Sequence, residues 1–230
     1  MIIKTDALEL NKKQILKYLG YGNERVDPQT KEVIEGGIKE LMNKARPKYI
    51  YKTWHDFNIM NDEIHLNNDI IIKSDDLADH LKSSKAIVVF AVTLGIGVEK
   101  LIKKEMLVNP SKAIILDAIA SELIGKVANK VCLEIIDQRN VFRNTRFSPG
   151  YGDLSLEVQR KIVKTLDTEV KIGLYINDSH LLLPSKSITA FFGVFDRLQT
   201  LRKSCKNCQL INNCRFREEG VFCYDQSMEK

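Results

Sequence analysis

The chain has 230 residues, 44% of them hydrophobic and 28% charged, and its 35 basic and 30 acidic residues leave a net charge of +5. This length allows one large or two small globular domains, and so small an excess of positive charge disfavours a protein dedicated to nucleic acid. No apolar run approaches the roughly 20 residues that a bilayer span needs, and the first residues lack the apolar core of a signal peptide. We therefore expect a cytoplasmic protein that neither binds nucleic acid nor enters a membrane.

The first half of the chain alternates helix signals with short strand signals. Helices are predicted over 11–19, 27–45 and 74–82, because each stretch opens with an Asn, Asp or Ser side chain that can accept the free amides of a first helical turn. Short apolar runs interrupted by Asn and Asp predict strands over 49–57 and 64–73, joined by tight turns.

The second half contains the most apolar strand and the longest helix. Residues 86–93 are almost continuously apolar and β-branched, which is typical of a strand covered on both faces and predicts the central strand. Apolar residues then recur with a period of 3.6 residues over 113–138, which predicts the longest helix. A helix over 156–166 and strands over 172–176 and 187–195 complete the predicted body.

A Pro-Gly turn at 146–151, with the sequence Arg-Phe-Ser-Pro-Gly-Tyr, follows the long helix. Such a stiff turn leaves backbone amides and carbonyls free to face a ligand. Arg146 can hold a carboxylate through two parallel hydrogen bonds, and Tyr151 offers a flat ring and a hydroxyl group. From these residues alone, a solvated turn and a ligand site both remain open.

A second motif follows this turn at 177–187, where the sequence reads Asn-Asp-Ser-x4-Pro-x2-Ser. The pair resembles the activation (reactivation) domain of cobalamin-dependent methionine synthase, in which an Arg-x-x-Pro-Gly-Tyr turn precedes Thr-Glu-Ser-x4-Pro-x2-Ser at this distance. Asn-Asp at 177–178 replaces the Thr-Glu of that family. An early Leu-Gly-Tyr at 19–21 and the long Ala- and Ser-rich helix resemble the short, stand-alone members, and the resemblance covers residues 10–200.

The resemblance implies an α+β fold with a mixed or antiparallel twisted sheet, and a groove that binds S-adenosylmethionine. In that family the arginine and the tyrosine of the turn contact the amino-acid and adenosyl parts of the ligand. The same roles are implied here for Arg146 and Tyr151, together with the backbone around Ser148 and Gly150.

Acidic side chains of that family also point toward the amino group or the sulfonium of the ligand. The corresponding position in the long helix of this chain is Gly125. The resemblance therefore leaves Glu122, one helical turn earlier, as the substitute candidate for this contact.

The function implied by the resemblance is that of a component of cobalamin-dependent methionine synthase. The protein would bind S-adenosylmethionine and support the reductive methylation of cob(II)alamin in a synthase whose other domains are on a separate chain. Its partners would be that cobalamin-binding chain and a flavodoxin-like electron donor, whose acidic surface would suit the excess of lysine and arginine.

A cysteine-bearing tail at 201–230 follows the predicted domain of residues 1–200. The tail cysteines that are candidate metal ligands are Cys205, Cys208, Cys214 and Cys223. The first two have the CxxC spacing that lets both sulfurs reach one ion or cluster. Zinc as a structural ion, an iron-sulfur cluster that passes an electron, and reduced thiols without a metal all remain open.

Two other functions also remain open at this stage. A reactivase for another corrinoid methyltransferase would use an iron-sulfur cluster in the tail instead of an external reductant. A non-catalytic regulator would bind S-adenosylmethionine without transferring its methyl group.

Overall fold

The computed structural model of the chain describes residues 1–3, 8–21, 26–67, 70–137, 141–199, 212 and 214. Its helices are α1 (Lys12–Tyr18), α2 (Pro28–Lys44), α3 (Asp75–Leu81), α4 (Ile96–Val108), α5 (Pro110–Asp137), α6 (Val158–Leu166) and α7 (Thr168–Ile172). Its strands are β1 (Lys48–Trp54), β2 (Phe57–Met60), β3 (Glu63–Leu66), β4 (Ile70–Lys73), β5 (Ala86–Thr93), β6 (Phe142–Arg143), β7 (Tyr175–Ile176), β8 (Leu182–Leu183) and β9 (Ser187–Phe195). Among the helices in these ranges, none has both the length and the apolar character that crossing a bilayer requires.

The side chains predicted to open the first helices do so. Asn11 accepts hydrogen bonds from the amides of Lys13 and Gln14 at the start of α1. Asp27 accepts one from the amide of Thr30 at the start of α2. The first residue of α2 is Pro28, which has no N–H group that would need a hydrogen-bond partner. These two helices therefore begin where the sequence predicts.

The main sheet has four antiparallel strands in the order β1-β5-β9-β6. Every residue of β5 is buried, which confirms that 86–93 is a central strand covered on both faces. Phe90 lies opposite Tyr51 of β1 on one side and Ala190 of β9 on the other. Two small antiparallel sheets, β2-β3-β4 and β7-β8, accompany the main sheet, so the α+β prediction with an antiparallel sheet is confirmed.

Two apolar cores form on the opposite faces of the main sheet, because successive side chains of a strand point to opposite sides. Val88, Phe90 and Val92 of β5 pack with α1, α2, α4 and α5 in the first core. Ile87 and Val89 pack with the small β2-β3-β4 sheet and with α3, α6 and α7 in the second core. β5 and β9 thus separate two layers of helices.

The structure differs from the sequence-based prediction at two strands. The strand predicted over 172–176 is wrong in its first part, because Ile172 is the last residue of α7. The helix ends at Gly173, which has a left-handed conformation. The strand β7 that follows has only two residues. The strand predicted over 64–73 is two strands, β3 and β4, paired as an antiparallel hairpin.

Candidate functional site

The predicted ligand turn begins at the outer edge of the main sheet. Asn144, a buried residue just after β6, accepts a hydrogen bond from the Gly193 amide through its side-chain oxygen at 2.8 Å and donates one from its side-chain nitrogen to the His80 carbonyl at 2.6 Å. Phe147 and Phe191 of β9 then exchange two backbone hydrogen bonds of 2.8 Å. These contacts fix the backbone on both sides of Arg146.

Backbone hydrogen bonds between residues close in sequence define the turn itself. The Tyr151 amide donates to the Ser148 carbonyl at 3.1 Å, and the Gly150 amide donates to the Leu154 carbonyl at 2.7 Å. Gly150 has a φ of +87°, and a Cβ on it would lie 3.0 Å from the Leu156 side chain. The turn therefore requires glycine at this position.

A carboxylate ties the end of the turn to the start of α3. Asp153 accepts hydrogen bonds from the Ser74 hydroxyl, from the Asp75 amide at 2.7 Å and from the Asp76 amide at 3.3 Å. In return, the Asp153 amide donates to the Asp76 carboxylate at 3.1 Å. Gly152 lies against the same Asp76 carboxylate, and a Cβ on Gly152 would overlap it. The turn is thus held at both ends, by the sheet and by α3.

Arg146 points from this turn to the long helix α5. Its Nη1 donates to the carbonyl of Gly125 at 3.4 Å, and its side chain is half-buried. Burial lowers the pKa of Arg146, and the neighbouring positive charge of Arg143 lowers it further. A Cβ on Gly125 would meet no atom within 4 Å, so open space lies beside the helix where the arginine contacts it.

The other two predicted ligand side chains, Glu122 and Tyr151, have contacts of their own. Glu122 is buried on α5, and its Oε1 accepts a hydrogen bond from the Asn11 amide at 3.1 Å and lies 3.8 Å from the Lys126 Nζ. Tyr151 is 45% exposed, and its ring meets the Phe147 ring edge-on at 5.8 Å. The structure therefore brings Arg146 and α5 together, whereas the Glu122 carboxylate turns toward the start of α1.

The second motif is held in place by Gln159, a buried residue of α6. Its side-chain nitrogen donates to the His180 carbonyl at 2.6 Å, and its side-chain oxygen accepts from the Thr189 hydroxyl at 3.2 Å. The Ser187 hydroxyl donates to the Pro184 carbonyl at 2.7 Å. Gln159 links the 177–180 loop to β9 in this way.

Two further polar contacts fix the segment before β9 and were not found from the sequence. Glu99 of α4 is buried and accepts a hydrogen bond from the Ser185 amide at 2.8 Å. The Lys186 Nζ lies 2.9 Å from the Asp117 carboxylate and 2.9 Å from the Ser121 hydroxyl, both on α5. Since each residue contacts a distant part of the chain, no local pattern in the sequence marks these pairs.

The candidate metal ligands of the tail lie mostly outside the described residues, which include Cys214 but not Cys205, Cys208 or Cys223. Cys214 is half-exposed and forms no disulfide bond. Within the ranges that the structure describes, no group of three or more His, Cys, Asp or Glu side chains is arranged to hold a metal ion. The tail site therefore stays a prediction.

Comparison with known proteins identifies the fold. No family model matches the chain, and no curated protein matches it in sequence. Among solved structures, the crystal structure of the MetH reactivation domain bound to AdoHcy is similar, with a TM-score of 0.63 and 12% sequence identity. The match covers 93% of this chain and 82% of that chain. This chain therefore has the fold of the MetH reactivation domain.

Proposed function

We propose that the protein binds S-adenosylmethionine between α5 and the 146–151 turn, and that it supports the reductive methylation of cob(II)alamin on a separate methionine synthase chain. One observation carries the proposal: Arg146, the arginine of the turn motif, reaches α5 beside the open space at Gly125. The solved structure with the same fold has AdoHcy bound, which supports a ligand of this class.

Each residue of the turn would have a binding role rather than a chemical one. Arg146 would hold the α-carboxylate of the ligand, and the half-exposed ring of Tyr151 would lie against its adenosyl part. The backbone of Ser148 and Gly150 would complete the site. Glu122, one turn along α5 from Gly125, would supply a negative charge for the positive sulfonium and amino groups, and its carboxylate would have to turn from the Asn11 amide to reach them.

The chemistry of methyl transfer needs no catalytic acid or base from this chain. A sulfonium already makes its methyl group electrophilic, so the protein has to position that group against the cobalt of the cobalamin substrate. In the overall reaction the cobalamin takes up one electron from a donor and then the methyl group, and S-adenosylhomocysteine leaves with the electron pair of the broken C–S bond. A flavodoxin-like protein is the donor that we propose.

Calorimetric titration of S-adenosylmethionine into the purified protein tests the binding step. We expect Arg146→Ala to weaken binding by about tenfold to a hundredfold, the effect of one charge-assisted contact to a carboxylate. Lys164→Gln is the matched control, because Lys164 is an exposed cation of α6 on the opposite face of the sheet. Absence of binding to the wild-type protein, with and without a cobalamin-binding synthase chain, would overturn the proposal.

A methylation assay tests the second step. The full chain is mixed with a methionine synthase that lacks its own reactivation domain and carries cob(II)alamin, together with a one-electron reductant and S-adenosylmethionine labelled in its methyl group. We expect label on the cobalamin only when the protein is present, and much less with Arg146→Ala. Binding without methyl transfer would favour a regulator that senses S-adenosylmethionine.

The four tail cysteines favour a second candidate, a reactivase for another corrinoid methyltransferase that carries its own iron-sulfur cluster. Iron, sulfide and zinc are measured in protein purified without oxygen, and again after Cys205→Ser and Cys208→Ser. Iron and sulfide in near-equal amounts, lost in both variants, would support this candidate. Zinc alone would make the tail a structural site, and the absence of all three would end the metal proposal.

A further inference from the structure

The end of α2 lies directly against the start of α4. The Arg46 amide donates a hydrogen bond to the Leu94 carbonyl at 2.9 Å. One residue into α4, a Cβ on Gly97 would lie 2.8 Å from the Lys44 carbonyl oxygen. The two segments therefore form one continuous stretch of surface, on which the side chains of Lys44 and Arg46 are exposed.

The outer face of α4 continues this stretch. Ile96, Lys100 and Lys104 follow each other at intervals of four residues, so they share one face of the helix. Both lysines are exposed, and Ile96 is 55% exposed although it is a large apolar residue. We call the surface formed by these three residues, Lys44 and Arg46 the junction surface.

The four cations of the junction surface have no counter-ion in the described part of the chain. No carboxylate oxygen there lies within 4.0 Å of their nitrogen atoms. The Arg46 Nη1 donates instead to the carbonyls of Asn43 at 2.9 Å and Ala45 at 2.7 Å, which holds the guanidinium at the end of α2. By contrast, the Lys103 Nζ of the same helix lies 2.6 Å from the Glu99 carboxylate. The junction surface is thus positively charged, with one exposed apolar side chain.

The junction surface does not belong to the proposed ligand site. Among the residues that the structure describes, none of its side chains forms a hydrogen bond or an ion pair with α5 or with the 146–151 turn. The cobalamin-carrying chain has to cover the ligand site, because the methyl group must reach the cobalt. A partner that is present at the same time needs another surface. Electron-transfer complexes have small, weak interfaces, and complementary charges guide such encounters.

We infer that the junction surface docks the electron donor, a small flavin-carrying protein with an acidic surface. Carboxylates of the donor would face the four cations, and an apolar side chain of the donor would contact Ile96. This inference rests on the proposed function and names the surface that its second partner uses. In the redox step the donor is oxidised by one electron and cob(II)alamin is reduced by that electron, before the methyl group is transferred.

Binding of a flavodoxin to the full chain tests the inference. Calorimetry is carried out at low and at moderate salt. We expect Lys100→Glu combined with Lys104→Glu to weaken binding by about tenfold to a hundredfold at low salt, and by less as salt screens the charges. Ile96→Ala should weaken binding by about threefold to tenfold at both salt concentrations, because less apolar surface is buried.

Lys164→Glu combined with Lys171→Glu is the matched control. It changes the net charge equally, and both lysines are exposed on α6 and α7, on the opposite face of the main sheet. This control should bind flavodoxin within about twofold of the wild type. An equal loss in the control and in the Lys100 and Lys104 variant would mean that only net charge matters, and would overturn the inference.

The methylation assay separates this inference from the proposed function. With reduced flavodoxin, the Lys100 and Lys104 variant should transfer much less label than the wild type, whereas with a chemical one-electron reductant it should transfer as much. A wild-type protein that methylates cobalamin with the chemical reductant but does not bind flavodoxin would overturn the inference and leave the proposed function standing. Tighter binding of phosphatidylserine vesicles or of DNA through Lys100 and Lys104 would also overturn it. No binding of S-adenosylmethionine, with and without the cobalamin-binding chain, would overturn the proposed function itself.

Discussion

Asp153 shows how a single side chain can set the shape of the turn at 146–151. Ser74 caps α3 by accepting a hydrogen bond from the Leu77 amide, and the Asp153 carboxylate adds to this cap with hydrogen bonds from the Ser74 hydroxyl and from two further backbone amides. Burial alone would raise the pKa of Asp153, but these hydrogen bonds outweigh burial and hold the pKa below the ordinary 3.8. The ionised form is therefore the one that the folded turn requires.

We expect Asp153→Asn to lower the free energy of unfolding at pH 7 by about 1 kcal/mol, a modest value because the carboxylate is exposed. Because the folded pKa lies below the unfolded value of 3.8, the contribution of Asp153 is present above that value and is lost as the pH falls through the folded pKa. The difference between wild type and variant should therefore shrink below about pH 4. Urea unfolding at pH 3 to 7 measures it, with Asp178→Asn as the control for charge.

The sequence predicts the turn motif at this scale but not the residues that hold it. Asn144 and Gln159 have partners 49 and 30 residues away in the chain. Asparagine and glutamine at such positions carry no local signature, because their roles depend on which strand the fold brings beside them.

At the scale of elements, close approaches between helices depend on glycine. Gly97, in the first turn of α4, lies against the end of α2, where a Cβ would be 2.8 Å from the Lys44 carbonyl oxygen. Gly36, in the middle of α2, would meet no atom within 4 Å. A side chain is therefore excluded at Gly97 and accommodated at Gly36.

We expect Gly97→Ala to destabilise the protein by roughly 1–3 kcal/mol, because the backbone of α2 must shift to make room for a methyl group. Gly36→Ala should stabilise it by about 0.5–1 kcal/mol, because alanine loses less conformational entropy in a helix. Chemical denaturation of the two variants beside the wild type measures both effects. A stabilising Gly97→Ala would mean that the helices are not in contact at this point.

Helices and the central strand are predicted well because their signals are local. The caps of α1 and α2 and the apolar period of α5 are all visible in the sequence. The short helix α7 is missed because its apolar residues are too few to show a period, and its end depends on the left-handed Gly173. Strand order cannot be read from the sequence either, since β9 pairs with β5 although the helices α4 to α7 lie between them in the chain.

For the molecule as a whole, the two cores share the strands β5 and β9. A side chain lost from one core weakens the packing of a strand that also belongs to the other core. The cores should therefore unfold together rather than in sequence.

We expect Leu123→Ala, which opens a cavity in the first core, to lower the free energy of unfolding by about 2–5 kcal/mol. Trp54 is the one tryptophan of the chain and is buried in the second core. Its fluorescence and the far-UV circular dichroism should still change at the same denaturant concentration in the variant. Two separate transitions would show that the cores are independent units.

The open space at Gly125 would help to determine which ligands fit the proposed site. A glycine in the middle of a long helix is normally unfavourable, yet here it leaves room beside the arginine of the turn. If this room belongs to the ligand, a larger side chain at 125 would narrow the range of molecules accepted while leaving the apolar cores untouched. If S-adenosylmethionine binds as proposed, position 125 is a place where the selectivity of the site can be re-engineered by one residue, at little risk to folding.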